Sequence, residues 1–240
     1  EVAMQRGDAD CAVHSLKDVP MQLDAGFELA AVLKRDNPFD AFISNQFGSL
    51  DELPIGAVVG TSSQRRQVQL KQRRPDIRIK DLRGNINTRL AKCANGDFDA
   101  IILACAGLER LGLQERIRQE LRPESWWPAV AQGAIAVESL SAKPEITALF
   151  AALNDKPTEL RVRAERAMNK ALHGSCQVPV AAYADIDGDA MRLTGWVGDA
   201  MNIRSISANA EGVADQPESL GQTVADMLFA QGAAELLNIP

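Results

Sequence analysis

Short apolar runs separated by helical segments most restrict how this 240-residue chain can fold. The runs have the length of strands and show no polar alternation, which is typical of strands buried on both faces of a sheet. They span residues 10–15, 29–33, 41–44, 57–60, 77–79 and 100–104. Helical patterns lie near residues 63–74, 87–95 and 108–120. The first two thirds of the chain is therefore predicted to be α/β, with parallel sheet covered by helices.

The pattern changes after about residue 154. A helix over 158–172 precedes alternating strands near 178–185, 190–197 and 203–209, and a helix over 217–231 follows. Alternating strands joined by turns such as Asp187-Gly188 indicate an antiparallel sheet with helices on one face, and hence a separate α+β domain. Asp185, Asp187 and Asp189 surround that turn. We interpret them as hairpin residues, and no metal site is expected.

Positive charge is concentrated in one part of an acidic chain. The formal net charge is −6, yet residues 61–122 hold fourteen Lys and Arg against seven acidic residues, whereas residues 176–240 hold two Arg against nine. An acidic protein has little non-specific attraction for nucleic acid, and clustered guanidinium groups suit carboxylates or phosphates. The sequence therefore predicts a small polyanionic substrate and no nucleic-acid partner.

Composition indicates an ordinary soluble protein, with 46% hydrophobic and 24% charged residues. The longest apolar run, 100–108, is far shorter than a membrane span, and no secretion signal is recognisable. The four cysteines are scattered without a CxxC pair, so neither a disulfide framework nor a zinc site is indicated. We expect a cytoplasmic protein with reduced thiols and no membrane partner.

The segment Gly60 to Arg66 is a candidate anion site. It follows a predicted strand and begins a predicted helix, so Ser62 or Ser63 can cap that helix and its free N–H groups can bind an anion. Arg65 and Arg66 stand in the first helical turn, where positive charge opposes the helix dipole. A bound anion would explain that placement. The alternative, a solvated basic helix face, fits Arg73 and Arg74 better.

Further arginines are expected at the same edge of the sheet. Arg83 follows a strand and precedes a turn, and Arg89 lies in the first turn of the next predicted helix. Arg110 comes shortly after the strand at 100–104, near the carboxyl edge where open α/β sheets bind ligands. These arginines could converge across one cleft.

Asp18 is the best candidate for an acid–base or charge-stabilising group. It ends a strand beside Lys17 and lies two residues before Pro20. A carboxylate in that place can stabilise a developing positive charge or move a proton. The alternative is an ordinary aspartate in a turn.

Cys176 lies in a predicted loop after a helix, unlike the other three cysteines, which fall inside strand or helix patterns. The negative end of that helix would raise the pKa of its thiol, which argues against a hydrolase thiolate and allows covalent attachment of a group. His173 is close in sequence, so a cysteine–histidine hydrolase stays an alternative.

Five ordered motifs resemble the porphobilinogen deaminase (hydroxymethylbilane synthase) family over essentially the whole chain. They are VHSLKDVP at 13–20, GTSSQRRQ at 60–67, LRGN with TRL at 82–90, AQGA at 131–134 and GSCQVP at 174–179. The family usually has glycine where Ala131 stands. The resemblance also implies that this sequence lacks the family's N-terminal segment, and residues 1–5 fit the last turn of a helix ending at Gly7.

The resemblance implies two periplasmic-binding-protein-like lobes and a third, α+β domain with a three-stranded antiparallel sheet. Its boundaries would be 1–35 with 129–152 for the incomplete first lobe, 36–128 for the second, and 153–240 for the third. It implies a cytoplasmic, monomeric transferase of tetrapyrrole (heme) biosynthesis. The reaction would join four porphobilinogens head to tail, with loss of ammonia, into hydroxymethylbilane.

The resemblance also implies roles for individual residues. Cys176 would hold a dipyrromethane cofactor by a thioether, and Asp18 would be the catalytic carboxylate. The other cofactor-binding residues would be Lys17, Asp18, Thr61, Ser62, Ser63, Arg65, Arg66, Arg83 and Arg89. Those that bind substrate would be Arg83, Arg89, Arg110 and Gln132.

Two other classes of protein stay open. A non-catalytic two-lobed anion-binding protein would explain the arginines and the α/β lobes, but it would not need Cys176. A cysteine hydrolase would need His173 to reach Cys176 as a general base.

Overall fold

The computed structural model describes residues 1–174 and 178–239 of the chain. Its helices are α1 (Val2–Arg6), α2 (Gln64–Arg73), α3 (Ile86–Ala94), α4 (Cys105–Glu109), α5 (Pro144–Phe150), α6 (Lys156–Ala171), α7 (Pro217–Ala230) and α8 (Ala233–Leu237). Its strands are β1 (Cys11–Ser15), β2 (Phe27–Val32), β3 (Asp40–Ile43), β4 (Val58–Gly60), β5 (Arg78–Lys80), β6 (Ala100–Ala104), β7 (Gln119–Leu121), β8 (Ile135–Leu140), β9 (Val180–Asp187), β10 (Ala190–Asp199) and β11 (Arg204–Val213).

The first sheet has the strand order β1-β8-β2, and both pairings are antiparallel. The prediction of parallel sheet is wrong here. The central strand β8 comes from a distant part of the chain and places Val137 opposite Val13. An unbroken apolar run does not show the direction of the neighbouring strands, so the sequence pattern could not distinguish the two arrangements.

The second sheet has the order β5-β4-β6-β3-β7. Strand β4 pairs in parallel with β5 and β6, as predicted, whereas β3 pairs antiparallel with β6 and β7. The predicted helix over 108–120 is wrong, because α4 ends at Glu109 and a short 3₁₀ turn and β7 follow. Gly112 has φ 67, a left-handed conformation in which an α-helix does not continue.

The third sheet, β11-β10-β9, is antiparallel. Helices α6 and α7 pack against it through Met168, Val224 and Leu228, which belong to one core cluster with Leu193. That cluster also contains Leu16, from the segment after β1. The predicted fold class is confirmed, since two sheets with associated helices are followed by an α+β unit with a three-stranded antiparallel sheet.

Two crossing segments connect the first and second sheets. The chain passes from β2 to β3 through residues 33–39 and returns to β8 through residues 122–134. The segments contact each other at Gly133, whose backbone O accepts from Asp36 N at 3.1 Å. A Cβ atom on Gly133 would lie 2.6 Å from Asp36 O, so this crossing needs glycine. In the described part of the chain, no helix has both the length and the apolar character to cross a membrane.

Candidate functional site

The site is built around the amino end of α2. Strand β4 leads into Thr61, which is buried, and Ser63 is the N-cap residue with extended φ and ψ. Within the described residues, no side chain caps this helix. The Ser62 side chain bonds to the backbone of Leu82 instead, because its Oγ donates to Leu82 O at 3.0 Å and accepts from Leu82 N at 3.1 Å. The first-turn N–H groups of α2 are therefore left for another acceptor.

Arg65 and Arg66 are buried, and both contact Asp40 at the start of β3. Arg65 Nη1 lies 2.8 Å from Asp40 Oδ2, and Arg66 Nη2 lies 2.6 Å from Asp40 Oδ1. The placement of these two arginines predicts a bound anion, but the protein itself supplies one carboxylate. Asp40 was not recognised in the sequence, because an aspartate at the head of an apolar strand gives no local signal of the helix it will face.

Charge and burial shift the pKa of Asp40 in opposite directions. Burial alone would raise the pKa of Asp40, but the adjacent Arg65 and Arg66 hold it well below its ordinary value. Burial lowers the pKa of Arg65, and Asp40 opposes that shift. Two guanidinium groups with one carboxylate leave one positive charge that Asp40 does not balance.

Trp126 and Trp127 complete the surroundings of this cluster. Trp126 is fully buried, and its Nε1 donates to Asp40 Oδ2 at 2.8 Å. The backbone O of Trp127 accepts from Arg65 Nη1 at 2.5 Å and from Gln69 Nε2 at 3.1 Å. The two tryptophans therefore fix both the carboxylate and one of its arginines.

Lys17 and Gln132 connect the first sheet to this cluster. Lys17 Nζ donates to Gln132 Oε1 at 3.3 Å, and Gln132 Nε2 donates to Asp40 Oδ1 at 2.9 Å. Burial lowers the pKa of Lys17 to about 8, and the nearby Arg66 acts in the same direction. Asp18 is exposed in the 3₁₀ turn that follows β1.

A cavity of about 190 Å³ brings several of the predicted residues together. Asp18 lines it, and so does Val178 at the start of the segment described after the gap. The other predicted residues in its wall are Lys17, Ser63, Arg65, Arg66 and Gln132. Among the residues described, Arg65 Nε and Arg66 Nε are buried without a hydrogen-bond partner. Such donors are costly to bury unless an acceptor meets them.

A second cavity of about 280 Å³ is also lined by Lys17, and its wall includes Arg89 and Arg110. Lys17, Arg66 and Gln132 line both cavities. Burial, followed by the nearby Arg66, lowers the pKa of Arg89. Arg110 already has partners within the protein, since its Nη2 lies 2.7 Å from Asp36 Oδ2 and 2.8 Å from Gly133 O.

Three of the predicted residues line neither cavity, and a fourth lies outside the residues that the structure describes. Arg83 is 83% exposed and lies 3.5 Å from Asp81. Thr61 is buried behind Ser63, with its Oγ1 accepting from Ser63 N at 3.2 Å, and Ser62 is bonded to Leu82. Cys176 lies outside the described residues, and its predicted attachment role stays a prediction.

Comparison with known families decides the membership of this chain. The model of the "Porphobilinogen deaminase, dipyromethane cofactor binding domain" matches residues 1–148, and that of the "Porphobilinogen deaminase, C-terminal domain" matches residues 159–230. The chain belongs to the porphobilinogen deaminase family. Two relatives called porphobilinogen deaminase, from Stenotrophomonas maltophilia (strain K279a) and Xylella fastidiosa (strain M23), are each 60% identical to it. The matches cover 100% and 99% of this chain, and 79% and 78% of the relatives.

Family membership confirms the resemblance found in the motifs. Ala131 has φ 57, a left-handed conformation that favours glycine, which is the residue that the resemblance leads us to expect at this position. The first family model is described as binding a dipyrromethane cofactor, so the predicted cofactor is confirmed for the family domain that covers residues 1–148.

Solved structures of low identity show a partial likeness. A nutrient-binding protein from Burkholderia cenocepacia bound to methionine is 17% identical, with a TM-score of 0.45 over 63% of this chain and 74% of that one. A periplasmic substrate-binding protein of an ABC transporter from Coxiella burnetii is 15% identical, with a TM-score of 0.44 over 69% and 79%. We draw no conclusion about function from a likeness at this level.

Proposed function

We propose that this chain carries out the reaction of its family as a hydroxymethylbilane synthase. Four porphobilinogens would be joined head to tail, and water would supply the hydroxyl group of the linear tetrapyrrole hydroxymethylbilane when it is released. At each joining step the C–N bond of one aminomethyl group breaks and ammonia leaves, a C–C bond forms to the α-carbon of another pyrrole, and that carbon loses its proton. The observation that carries the proposal is the meeting of Lys17, Asp18 and Arg66 at one cleft.

The charges of the cleft suit this substrate. Each porphobilinogen brings two carboxylates, acetate and propionate, so a growing chain is a polyanion. Arg65 and Arg66 offer buried Nε–H groups that have no partner among the described residues, and the uncapped start of α2 adds backbone donors beside Ser63. Guanidinium groups bind carboxylates through charge-assisted hydrogen bonds. We assign substrate carboxylates to Arg83, Arg89 and Arg110, with Gln132 lining the cleft.

Arg83 needs a separate argument, because it lies outside both cavities. The two hydrogen bonds between Ser62 and Leu82 hold the loop that carries Arg83 next to the start of α2. The guanidinium is largely exposed, and among the described residues it has only a long contact to Asp81. An arginine side chain so placed is free to turn towards a bound carboxylate at little energetic cost.

Asp18 is assigned the catalytic role. Loss of ammonia leaves positive charge on the pyrrole and its methylene carbon, and a carboxylate at that point stabilises the charge. Asp18 is the carboxylate of the first cavity, and it is exposed to the cleft. The adjacent Lys17, with its pKa of about 8, is able to give or take a proton near neutral pH.

The residues of the cleft also fit the dipyrromethane cofactor. Its own acidic side chains match the unpaired donors of Arg65 and Arg66, and further contacts are assigned to Lys17, Asp18, Thr61, Ser62, Ser63, Arg83 and Arg89. When bound, the group supplies a retained pyrrole primer with a nucleophilic α-carbon. Cys176 is assigned the thioether attachment. It lies two residues before Val178, which lines the first cavity, and two residues span at most about 7 Å.

We further propose the domain division stated from the sequence, with residues 1–35 and 129–152, 36–128, and 153–240 as the three domains. Residues 1–35 and 129–152 supply the first sheet, residues 36–128 supply the five-stranded sheet, and residues 153–240 supply β9 to β11. The scattered cysteines support a reducing, cytoplasmic setting, and we infer that the protein acts as a monomer.

The test is to incubate the protein with porphobilinogen and to measure ammonia and hydroxymethylbilane together. We expect four molecules of ammonia for each tetrapyrrole released, and a matched Asp18→Asn variant that binds porphobilinogen but turns it over far more slowly. Binding of porphobilinogen without ammonia release from the unaltered protein would instead support the non-catalytic anion-binding class.

A further inference from the structure

We propose that Asp40, held in place by Trp126, is a positioning residue that decides which nitrogen atoms of Arg65 and Arg66 face the cleft. The proposal rests on the proposed function, because the cleft is taken to bind carboxylates of the pyrrole substrate and cofactor. Asp40 itself is fully buried and does not line either cavity. It acts through the two arginines.

The Asp40 carboxylate divides its contacts evenly. Oδ1 accepts from Arg66 Nη2 at 2.6 Å and from Gln132 Nε2 at 2.9 Å. Oδ2 accepts from Trp126 Nε1 at 2.8 Å and lies 2.8 Å from Arg65 Nη1. Each oxygen thus has one guanidinium and one neutral N–H donor. The neutral donors fix the plane of the carboxylate, and the carboxylate in turn fixes the two guanidinium groups.

This arrangement uses Arg65 Nη1 and both terminal nitrogens of Arg66, and it leaves both Nε atoms without a partner among the described residues. Arg66 Nη1 donates to Ile102 O at 2.9 Å, so both its terminal nitrogens are occupied by protein. Arg65 Nη1 contacts both Asp40 and the backbone O of Trp127. In the described structure, the Nε atoms of both arginines are buried and have no partner, and both arginines line the first cavity. A rotated carboxylate would change which guanidinium nitrogens each arginine turns towards the cavity.

Trp126 is the residue that tests this idea. Its indole is fully buried, and a buried indole N–H needs an acceptor, which here is Asp40 Oδ2. Asp40→Asn would leave two buried arginines without their counter-charge and is liable to unfold the protein. Trp126→Phe is milder, because it keeps an aromatic ring in the core and the charge on Asp40 while it removes one anchor of the carboxylate.

Trp196→Phe is the matched control. Trp196 is 5% exposed and belongs to a cluster with Val68 and Ala181, so the same indole is lost from a buried position that does not contact Asp40. Arg65→Lys provides the second half of a double-mutant cycle, because Arg65 shares Oδ2 with Trp126. If Trp126 acts through Arg65, the two substitutions should not be additive.

The experiment measures binding of succinate, a dicarboxylate that cannot react, by calorimetry, together with KM and kcat for porphobilinogen. We expect Trp126→Phe to weaken succinate binding and raise KM by about 10-fold, as expected for a lost hydrogen bond to a charged group, with a smaller change in kcat. Trp196→Phe should stay within about twofold. In the Arg65→Lys background, Trp126→Phe should have a smaller effect than in the unaltered protein, because one of the two guanidinium groups that it orients is already gone.

Equal effects of Trp126→Phe and Trp196→Phe would overturn the proposal, and so would a full effect of Trp126→Phe in the Arg65→Lys background. Absence of succinate binding by the unaltered protein would overturn it as well, because the arginines would then present no carboxylate-binding face. If succinate binding follows the expected cycle but porphobilinogen is not turned over, the positioning role stands and the proposed function fails.

Discussion

Arg35 and Glu165 form a buried bidentate ion pair, with Nη1–Oε1 and Nη2–Oε2 distances of 2.7 and 3.1 Å. The same carboxylate accepts from Ala131 N at 2.7 Å and from Ala184 N at 2.9 Å. These partners belong to both segments that cross between the first two sheets and to β9 of the third sheet. One carboxylate of α6 therefore connects the two crossing segments to the C-terminal unit.

Glu165→Ala should destabilise the protein by about 3–5 kcal/mol, because it leaves Arg35 charged and buried without its partner. Denaturant unfolding measures the change. Glu218→Ala is the control, since Glu218 forms a bidentate pair with Arg163 at 2.6 and 3.0 Å in which both side chains are well exposed. Its cost should be at most about 1 kcal/mol. Similar costs for the two variants would show that burial of the first pair does not matter.

Asp18→Asn should reduce turnover by a factor on the order of 10²–10³, because it removes the charge that stabilises the cation formed when ammonia leaves. Asp18→Glu should retain more activity than Asn, since the charge is kept and shifted by one methylene. Porphobilinogen affinity should change less than turnover. Single-turnover and steady-state rates check this, and a near-native rate for Asp18→Asn would remove Asp18 from the catalytic role.

Arg83→Leu should slow or stall chain growth while it changes the free energy of unfolding by no more than about 0.5 kcal/mol, because the side chain is 83% exposed. Arg73→Leu is the matched control, since Arg73 pairs with Asp51 at 2.8 Å on the outer part of α2. It should leave pyrrole binding and turnover unchanged. If both variants behave alike in these assays, Arg83 is a surface residue without a role in the cleft.

Carboxylate binding should depend on pH through Lys17. Burial lowers the pKa of this lysine to about 8, so its positive charge, and with it succinate affinity, should fall as the pH rises through about 8. Lys17→Arg should keep the affinity to higher pH, because a guanidinium stays protonated. Lys170→Arg on the surface should change nothing. Loss of affinity at the same pH in Lys17→Arg would assign the titration to another group.

The lowered pKa of Lys17 also makes the stability of the protein depend on pH. Below pH 8 Lys17 is protonated in the folded and the unfolded chain. Between pH 8 and its ordinary pKa of 10.5, the unfolded chain binds more protons, so the contribution of Lys17 to the free energy of unfolding should rise with pH. A plot of unfolding free energy for Lys17→Met against pH should lack this rise.

The amino end of α2 could be predicted from the sequence, because its signals are local. A strand, a run of small polar residues and two arginines follow one another at 58–66, and the structure places them as expected. The partner of these arginines could not. Asp40 stands 25 residues before Arg65 and faces it only because β3 and α2 pack in the folded chain. A lone aspartate before an apolar strand carries no sign of that contact.

The direction of the strands in the first sheet could not be predicted either, because it also depends on a contact between residues distant in sequence. The apolar pattern found β1 and β2 correctly, but β8, which lies between them, comes about a hundred residues later and reverses the expected pairing. Gln132 and Arg110 were placed in the cleft by the resemblance and by sheet position. The structure adds that Gln132 joins Lys17 to Asp40 and that Arg110 is also bonded to the crossing segments at Asp36 and Gly133.

The most direct test of the account is an intact-mass measurement of the protein and of Cys176→Ser after incubation with porphobilinogen. We expect a covalent adduct of dipyrromethane mass on the unaltered protein, located at Cys176 by peptide mapping, and none on Cys176→Ser, because a hydroxyl is a far poorer nucleophile than a thiol. An unaltered protein that releases hydroxymethylbilane with an unmodified Cys176, or a Cys176→Ser variant that keeps the adduct and the activity, would contradict it.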